Sequence, residues 1–305
     1  MTLRTYREDD FDPLLELFNR HQLAAFGEAD ATAEDLRTWL TTPYVDVERD
    51  IRILERDGRI VGYADVDPTR EEPPRWWCDV KVDPEVDADE AVAALVAWID
   101  ERAAAEGGSI RVWTSDTDNR VVGAFRALGF EPSRHSYRME IDLAGAPPAP
   151  SWPDGVQVRT VREDEHERVY EAVVEVWRDT NDPIDETFDE WAHWTSRHES
   201  FDPELWFLAE SGDELAGFSL CRRDANDSRA GYVASLGVLR PWRRQGLGEA
   251  LLVHSFAAFR ARGWTRGTLG VDASSKTGAT RLYERAGMSV YRDTVFLERP
   301  VGGRS

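Results

Sequence analysis

Two stretches of this chain repeat one another. GAFRALGFEPSRHSYRMEI, starting at Gly123, aligns with RLYERAGMSVYRDTVFLE, starting at Arg281, so that Phe125 falls on Tyr283 and Gly129 on Gly287, each 158 residues apart. A period that long cannot be a solenoid repeat and suits a duplicated fold of about 150 residues. The order of elements agrees. Each half opens with a short strand (3–6; 156–161) and an acidic amphipathic helix, as in DDFDPLLELF, where Phe11, Leu14, Leu15 and Phe18 share a face. A hairpin follows: ILERDGRIVGYADV turns at Asp57-Gly58, and FLAESGDELAGFSLC turns at Ser211-Gly212-Asp213. The Pro/Gly-dense stretch AGAPPAPSWPDG, 144–155, can continue neither a helix nor a central strand and reads as a linker. The expectation is a mixed α/β chain of two tandem domains, 1–143 and 156–305, each a twisted mixed sheet flanked by helices.

Charge narrows the partners. With 58 acidic and 37 basic residues the net charge is −21, which repels nucleic acid and anionic membranes. No apolar run approaches 18 residues and no charged-then-apolar leader follows Met1, so a cytoplasmic protein, monomer or homodimer, is expected. Cys78 and Cys221 lie far apart with no Cys/His spacing around them. They predict two buried thiols rather than a disulfide or a metal site. Residues 251–305 run against the trend, with 9 basic and 4 acidic residues, and offer an anion a place to settle.

That basic end adjoins RPWRRQGLGEALL, 240–252. The apolar, β-branched run GYVASLGVL before it predicts a buried strand. After it, Leu251, Leu252, Phe256 and Phe259 form one face of a helix from 248 to about 262, with Gly263 as a left-handed stop. A strand-to-helix turn presents unpaired backbone N–H groups and the positive end of the helix dipole, which together bind phosphate oxygens. Gly246 and Gly248 leave room for a pyrophosphate, and Arg243 and Arg244 add charge. The spacing is neither that of a P-loop, which needs GxxxxGK[ST], nor a full GxGxxG. A glycine turn beside a solvated arginine pair is the bland alternative.

The wider pattern decides between them. RxxGxG after a strand ending in LGV, then TLGVDA, then a helix with LYERAG, closely resembles the acetyl-CoA site of the GNAT superfamily of N-acetyltransferases, over essentially all of 156–299. The resemblance implies acetyl-CoA as cosubstrate, no metal, and a direct transfer to a primary amine. It implies that backbone groups of Leu236, Gly237 and Val238 hold the pantetheine arm. The pyrophosphate would then lie on the loop Arg243, Arg244, Gln245, Gly246, Leu247, Gly248 and Glu249. Tyr283 would be the acid that protonates the departing thiolate. Ser275 stands near the place of the family's usual asparagine, and Met288 replaces a frequent phenylalanine. Taken alone, Tyr283 reads as a core ring with a satisfied hydroxyl; paired with the loop, it reads as the acid.

The first half lacks these features. With Pro84 set on Pro241, Val86 replaces Arg243, Asp89 replaces Gly246 and Ala91 replaces Gly248, while Phe125 offers no proton where Tyr283 does. Asp87, Asp89 and Glu90 would repel phosphate, so this half is expected to be a degenerate copy. A tandem pair with one competent half also resembles the mycothiol synthase type of actinobacterial acetyltransferase.

The acceptor segment by resemblance is WRDTNDPIDETFDEWAHW. Its Trp177, Trp191 and Trp194 lie among Asp182, Asp185, Glu186, Asp189 and Glu190, a set that suits a small cationic amine; a solvated acidic helix with tryptophans facing the core is the other reading. Asp224, Asp227, His193, His198 and water stay open as the general base. A non-catalytic acyl-CoA-binding module, with EEPPRWWCDV as a docking surface, is the competing function.

Overall fold

A computed structural model describes residues 1–29, 31–145, 149–225, 227–276 and 278–302. The linker residues Ala146, Pro147 and Pro148 lie outside the described set. Two compact units emerge: Met1–Ser136 with Arg292–Ser305, and Tyr137–Tyr291.

The first unit runs β1 (Thr2–Arg4), α1 (Phe11–Phe26), α2 (Ala33–Leu40), α3 (Val47–Asp50), β2 (Ile51–Arg56), β3 (Arg59–Asp65), β4 (Asp67–Pro68), β5 (Arg75–Trp77), β6 (Val80–Val82), α4 (Ala88–Ala103), β7 (Ser109–Ser115), α5 (Asn119–Ala127) and the start of β8 (Glu131–Asp142). Asp57 and Gly58 both take left-handed φ (52° and 76°), which matches a tight hairpin turn to the twist of β2 and β3. One sheet has the order β1-β2-β3-β6. In the rest, β5 runs parallel to β7, pairing Arg75 with Ser109 and Trp77 with Arg111, whereas β6 pairs antiparallel with β3. The chain therefore changes partner between Trp77 and Val80.

The second unit holds the end of β8, then β9 (Gln157–Thr160), α6 (His166–Trp177), α7 (Phe188–Trp194), β10 (Trp206–Ser211), β11 (Glu214–Arg223), β12 (Ala230–Val238), α8 (Leu247–Ala261), β13 (Arg266–Asp272), α9 (Ala279–Arg285) and the start of β14 (Ser289–Pro300). Its strands follow the order β9-β10-β11-β12-β13, and alternate residues of β10 face opposite cores. Phe207 and Ala209 meet α8; Trp206 and Leu208 meet α6 and α7. Phe256 and Phe259 of α8 are almost completely buried, each contributing about 1.5–3 kcal/mol, which anchors this helix firmly.

The compact units depart from the repeat at their ends. Thr294–Pro300 of β14 pair antiparallel with Ser115–Ser109 of β7, and Val295 and Leu297 join the first unit's core. Conversely Met139 and Leu143 of the first repeat lie in the second unit's core, with Leu143 N–H donating to Thr265 O (2.8 Å). Each repeat thus cedes its last strand. The expected bounds 1–143 and 156–305 follow the duplication, whereas the compact units follow this exchange.

The duplication is also written in side chains. Arg4 bonds Asp10 (2.7 Å) and Glu55 (2.7 Å), and Arg159 bonds Glu165 (2.6 Å) and Glu210 (2.7 Å), with the same spacings of 6 and 51 residues. The matching RTYRED and RTVRED carry these arginines. Cys78 and Cys221 are both fully buried.

Candidate active site

β12 pairs with β11 down to Val238 but with β13 only over Ala230–Val233. The register on β11 slips between Leu220 and Cys221, leaving Ala234 without a partner there. Such a bulge bends its strand. Below it the backbone edge of 235–238 parts from β13 and opens a cavity of about 490 Å³ within the second unit. Leu236 and Val238 line it, with Arg243, Arg244, Gly246, Leu247, Gly248 and Glu249 from the turn and Tyr283 from α9.

The turn begins as a short 3-10 segment, Arg240–Trp242, and ends at Gly246, whose φ of +82° only glycine adopts without strain. No side chain caps α8 there, and its first ladder bond is Ala250 N–H to Gly246 O (3.0 Å). The amides of Leu247, Gly248 and Glu249 therefore find no acceptor among the described residues. An uncapped helix N-terminus of this kind leaves backbone donors unpaired at the positive end of the helix dipole. A Cβ on Gly248 would stand 3.2 Å from Leu282 Cδ1 and 3.5 Å from Val238 Cγ2. The missing side chain lets α8 sit close to β12 and α9.

The charges around the turn divide into two groups. Arg243 is committed, donating to Asp179 Oδ2 (2.6 Å) and to Val238 O (2.9 Å). Arg240 donates to the same carboxylate (2.7 Å), and the two arginines hold Asp179 well below the usual carboxylate range. This clamp ties the end of α6 to the turn, so Arg243 acts mainly on the shape of the loop. Arg244 and Lys276 are exposed on the cavity's rim, where Arg285 lies 4.0 Å from Glu249 Oε2. Among the residues that sequence reasoning missed, Lys276 and Arg285 belong to the basic C-terminal run; Asp179 carried no local signal.

Tyr283 is 8% exposed, and burial pushes its phenol up to about 12, with Tyr232 adding to the effect. Its hydroxyl makes no hydrogen bond to protein among the described residues, although the residue lines the cavity. A core tyrosine ordinarily satisfies its hydroxyl. Gly237, Gln245 and Ser275 are not part of the lining. Gly237 lies over the buried ring of Phe218, exposed Gln245 donates to Pro241 O (3.1 Å), and Ser275 O accepts from Gly278 N–H (3.2 Å).

None of the general-base candidates lines the cavity. Asp224 is buried and accepts from Thr268 Oγ1, Asp227 pairs with Arg229 and Arg266, and His198 bonds Ser200 (2.7 Å). His193 stacks edge-on against Trp194. In the acceptor segment Trp191 is core, packed on Tyr170, Phe188 and Trp206, while Glu190 closes a capping box with Thr187 and Asp189 pairs with Arg197. For these residues the structural reading applies. Trp177 remains near the strand, its Nε1 donating to Ser235 Oγ (3.3 Å).

An uncapped glycine turn on a splayed strand thus shares one cavity with a buried phenol. The profile of the acetyltransferase (GNAT) family matches residues 166–288. A solved GCN5-related N-acetyltransferase from Sphaerobacter thermophilus is 30% identical, with all of this chain and 96% of that one covered and a TM-score of 0.78. The chain belongs to the GNAT family. A mycothiol acetyltransferase from Thermobispora bispora is 30% identical over 204 residues, 63% of this chain and 66% of the relative, just under two thirds of its length. A tandem GNAT protein from the clavulanic acid biosynthesis pathway, 15% identical, covers all of this chain and 99% of its own with a TM-score of 0.77, a likeness of fold.

Proposed function

We propose that the protein transfers the acetyl group of acetyl-CoA to the primary amine of a small molecule by direct attack, with the second unit as the catalytic one. The observation that carries this reading is the meeting, in one cavity, of the open N-terminus of α8 and the phenol of Tyr283. The amides of 246–249 would hold the pyrophosphate, with Arg244, Lys276 and Arg285 balancing its charge. The free edge of Leu236–Val238 would pair with the pantetheine arm and donate to the thioester oxygen as charge builds there.

Acetyl-CoA supplies an acetyl thioester. The amine nitrogen bonds to its carbonyl carbon, the C–S bond breaks, and the thiol takes up a proton as the nitrogen loses one. Tyr283, held near 12, stays protonated at any working pH. A free thiol has a pKa of about 8.5, so a phenol this weak acts chiefly by donating a hydrogen bond to the sulfur while charge develops, and the nitrogen's proton completes the thiol. The relative from Thermobispora bispora bears the name mycothiol acetyltransferase, which supports a small-molecule acceptor.

The deciding measurement is thiol release from acetyl-CoA across a panel of amines, with titration calorimetry alongside. One site per chain and amine-dependent thiol release are expected. Tight binding with no release for any amine would favour the non-catalytic module instead. The EEPPRWWCDV stretch does not support that module as a docking surface: Trp76 is fully buried and Trp77 lines a cavity.

A further inference from the structure

Where β7 ends, two carboxylates face each other across its pairing with β14. The register sets Thr294 against Ser115, and the ladder runs one step further, with Asp116 N–H donating to Asp293 O (3.4 Å). Asp116 and Asp293 therefore stand directly opposite one another. Like charges in that relation repel. His135 of β8 completes the group, and one ligand atom from each of the three residues lies within 4.8 Å of the other two. All three residues belong to the first unit.

The partners already present leave charge over. His135 Nδ1 lies 2.9 Å from Asp293 Oδ1, whereas the Asp116 carboxylate makes no hydrogen bond or ion pair among the described residues. An imidazole can offset at most one of the two negative charges. A divalent cation offsets both. Asp116 is exposed and the other two are partly exposed, so the group is open to an ion and to water.

The donor set also selects the ion. Magnesium and calcium take oxygen ligands, while an imidazole nitrogen beside carboxylates suits zinc and its neighbours. Bonds of about 2.0–2.2 Å hold any two ligands of one such ion within about 4.4 Å of each other. Closing the group on an ion takes small turns of surface side chains.

We propose that Asp116, His135 and Asp293 bind one divalent transition-metal cation of the zinc type, with water completing its coordination. Its ligands come from three segments, so the ion would pin the late strand β14 beside β7 and β8. The inference stands on these residues and does not depend on transfer chemistry in the second unit.

The test is calorimetric titration of the full chain with Zn²⁺ after dialysis against a chelator, using Mg²⁺ as the oxygen-preferring control. One Zn²⁺ per chain, bound at least about tenfold more tightly than Mg²⁺, is expected. Asp116→Asn and His135→Gln should each weaken Zn²⁺ binding by about tenfold or more, a loss that follows even when only a ligand's hydrogen-bond partner is removed. His193→Gln, outside the group, should leave it unchanged. Zn²⁺ should also raise the thermal midpoint of the wild type more than that of either variant. Far-ultraviolet circular dichroism checks that each variant folds; if one does not, the other decides. No saturable Zn²⁺ site, Mg²⁺ bound as tightly, unchanged affinity in the folded variants, or an equal loss in His193→Gln would overturn the proposal.

Discussion

The helices α4 and α8 hold corresponding places in the two copies, yet their first turns are finished in opposite ways. α4 is capped by its own chain: Asp87 Oδ1 accepts from Glu90 N–H (3.0 Å), and Asp89 and Glu90 add negative charge to that turn. α8 starts at a glycine with no side-chain cap. A helix dipole is therefore satisfied internally in one copy and left open to an anion in the other. A cap is worth about 1 kcal/mol, so the open turn gives up some stability that the capped turn keeps. The matching residue of the later helix differs too. Phe125 is fully buried against Phe130, while Tyr283 reaches a cavity.

The largest effect should come from Tyr283→Phe, which keeps the ring and removes the donor. We expect kcat to fall about 10²-fold, the lower end of general-acid effects, with acetyl-CoA Kd unchanged. Unchanged kcat in a reaction limited by chemistry would return Tyr283 to a packing role. Because its pKa lies near 12, the wild-type rate should show no alkaline limb from this group below about pH 10; a limb that vanishes in the phenylalanine variant would contradict that. Gly246→Asp, which gives α8 the kind of carboxylate found at α4, should weaken acetyl-CoA binding more than about tenfold by repulsion at the dipole. Retained affinity by calorimetry would mean that the turn is not the anion site.

A smaller effect tests what the copies share. Hydrogen bonds from Arg159 outweigh the cost of burial and lower Glu165 to about 2; Asp10 in the first copy is also lowered. A carboxylate with a depressed folded pKa contributes stability above its ordinary value near 4.5, and that contribution is lost as pH falls towards 2. Glu165→Gln should cost about 1–2 kcal/mol at neutral pH and flatten the acid limb of denaturant midpoints. Equal midpoints at pH 3 and pH 7 in the wild type would refute it. Smallest of all, Asp87→Ala should cost about 1 kcal/mol and leave acetyl-CoA affinity untouched. A gain of a second binding site would show that the cap alone closes the first copy.

What was legible in the sequence was local. The hairpin turns, the glycine-ended helix and the strand-to-helix loop each depend on residues within a few positions, and the paired RTYRED and RTVRED carry the arginine network the two copies share. The strand exchange was not legible, because β8 and β14 are copies of one another and nothing within either states which sheet it completes. Asp179 was hidden for a related reason: it clamps Arg243 from 64 residues away. The tryptophans of the acceptor segment carried two readings, and only ring packing around Trp191 separated them.

The exchanged strand also orders events in time. Ser109 meets Glu298, 189 residues later, so the first unit cannot finish its sheet until that later strand has been made. At typical synthesis rates of about 5–20 residues per second, that interval is roughly 10 to 40 s, during which the edge of β7 that receives β14 stays unpaired and open to other chains. The second unit spans Tyr137–Tyr291 without interruption and has all of its strands as soon as that segment emerges. Maturation would run against the order of synthesis, with the second unit complete before the copy that precedes it.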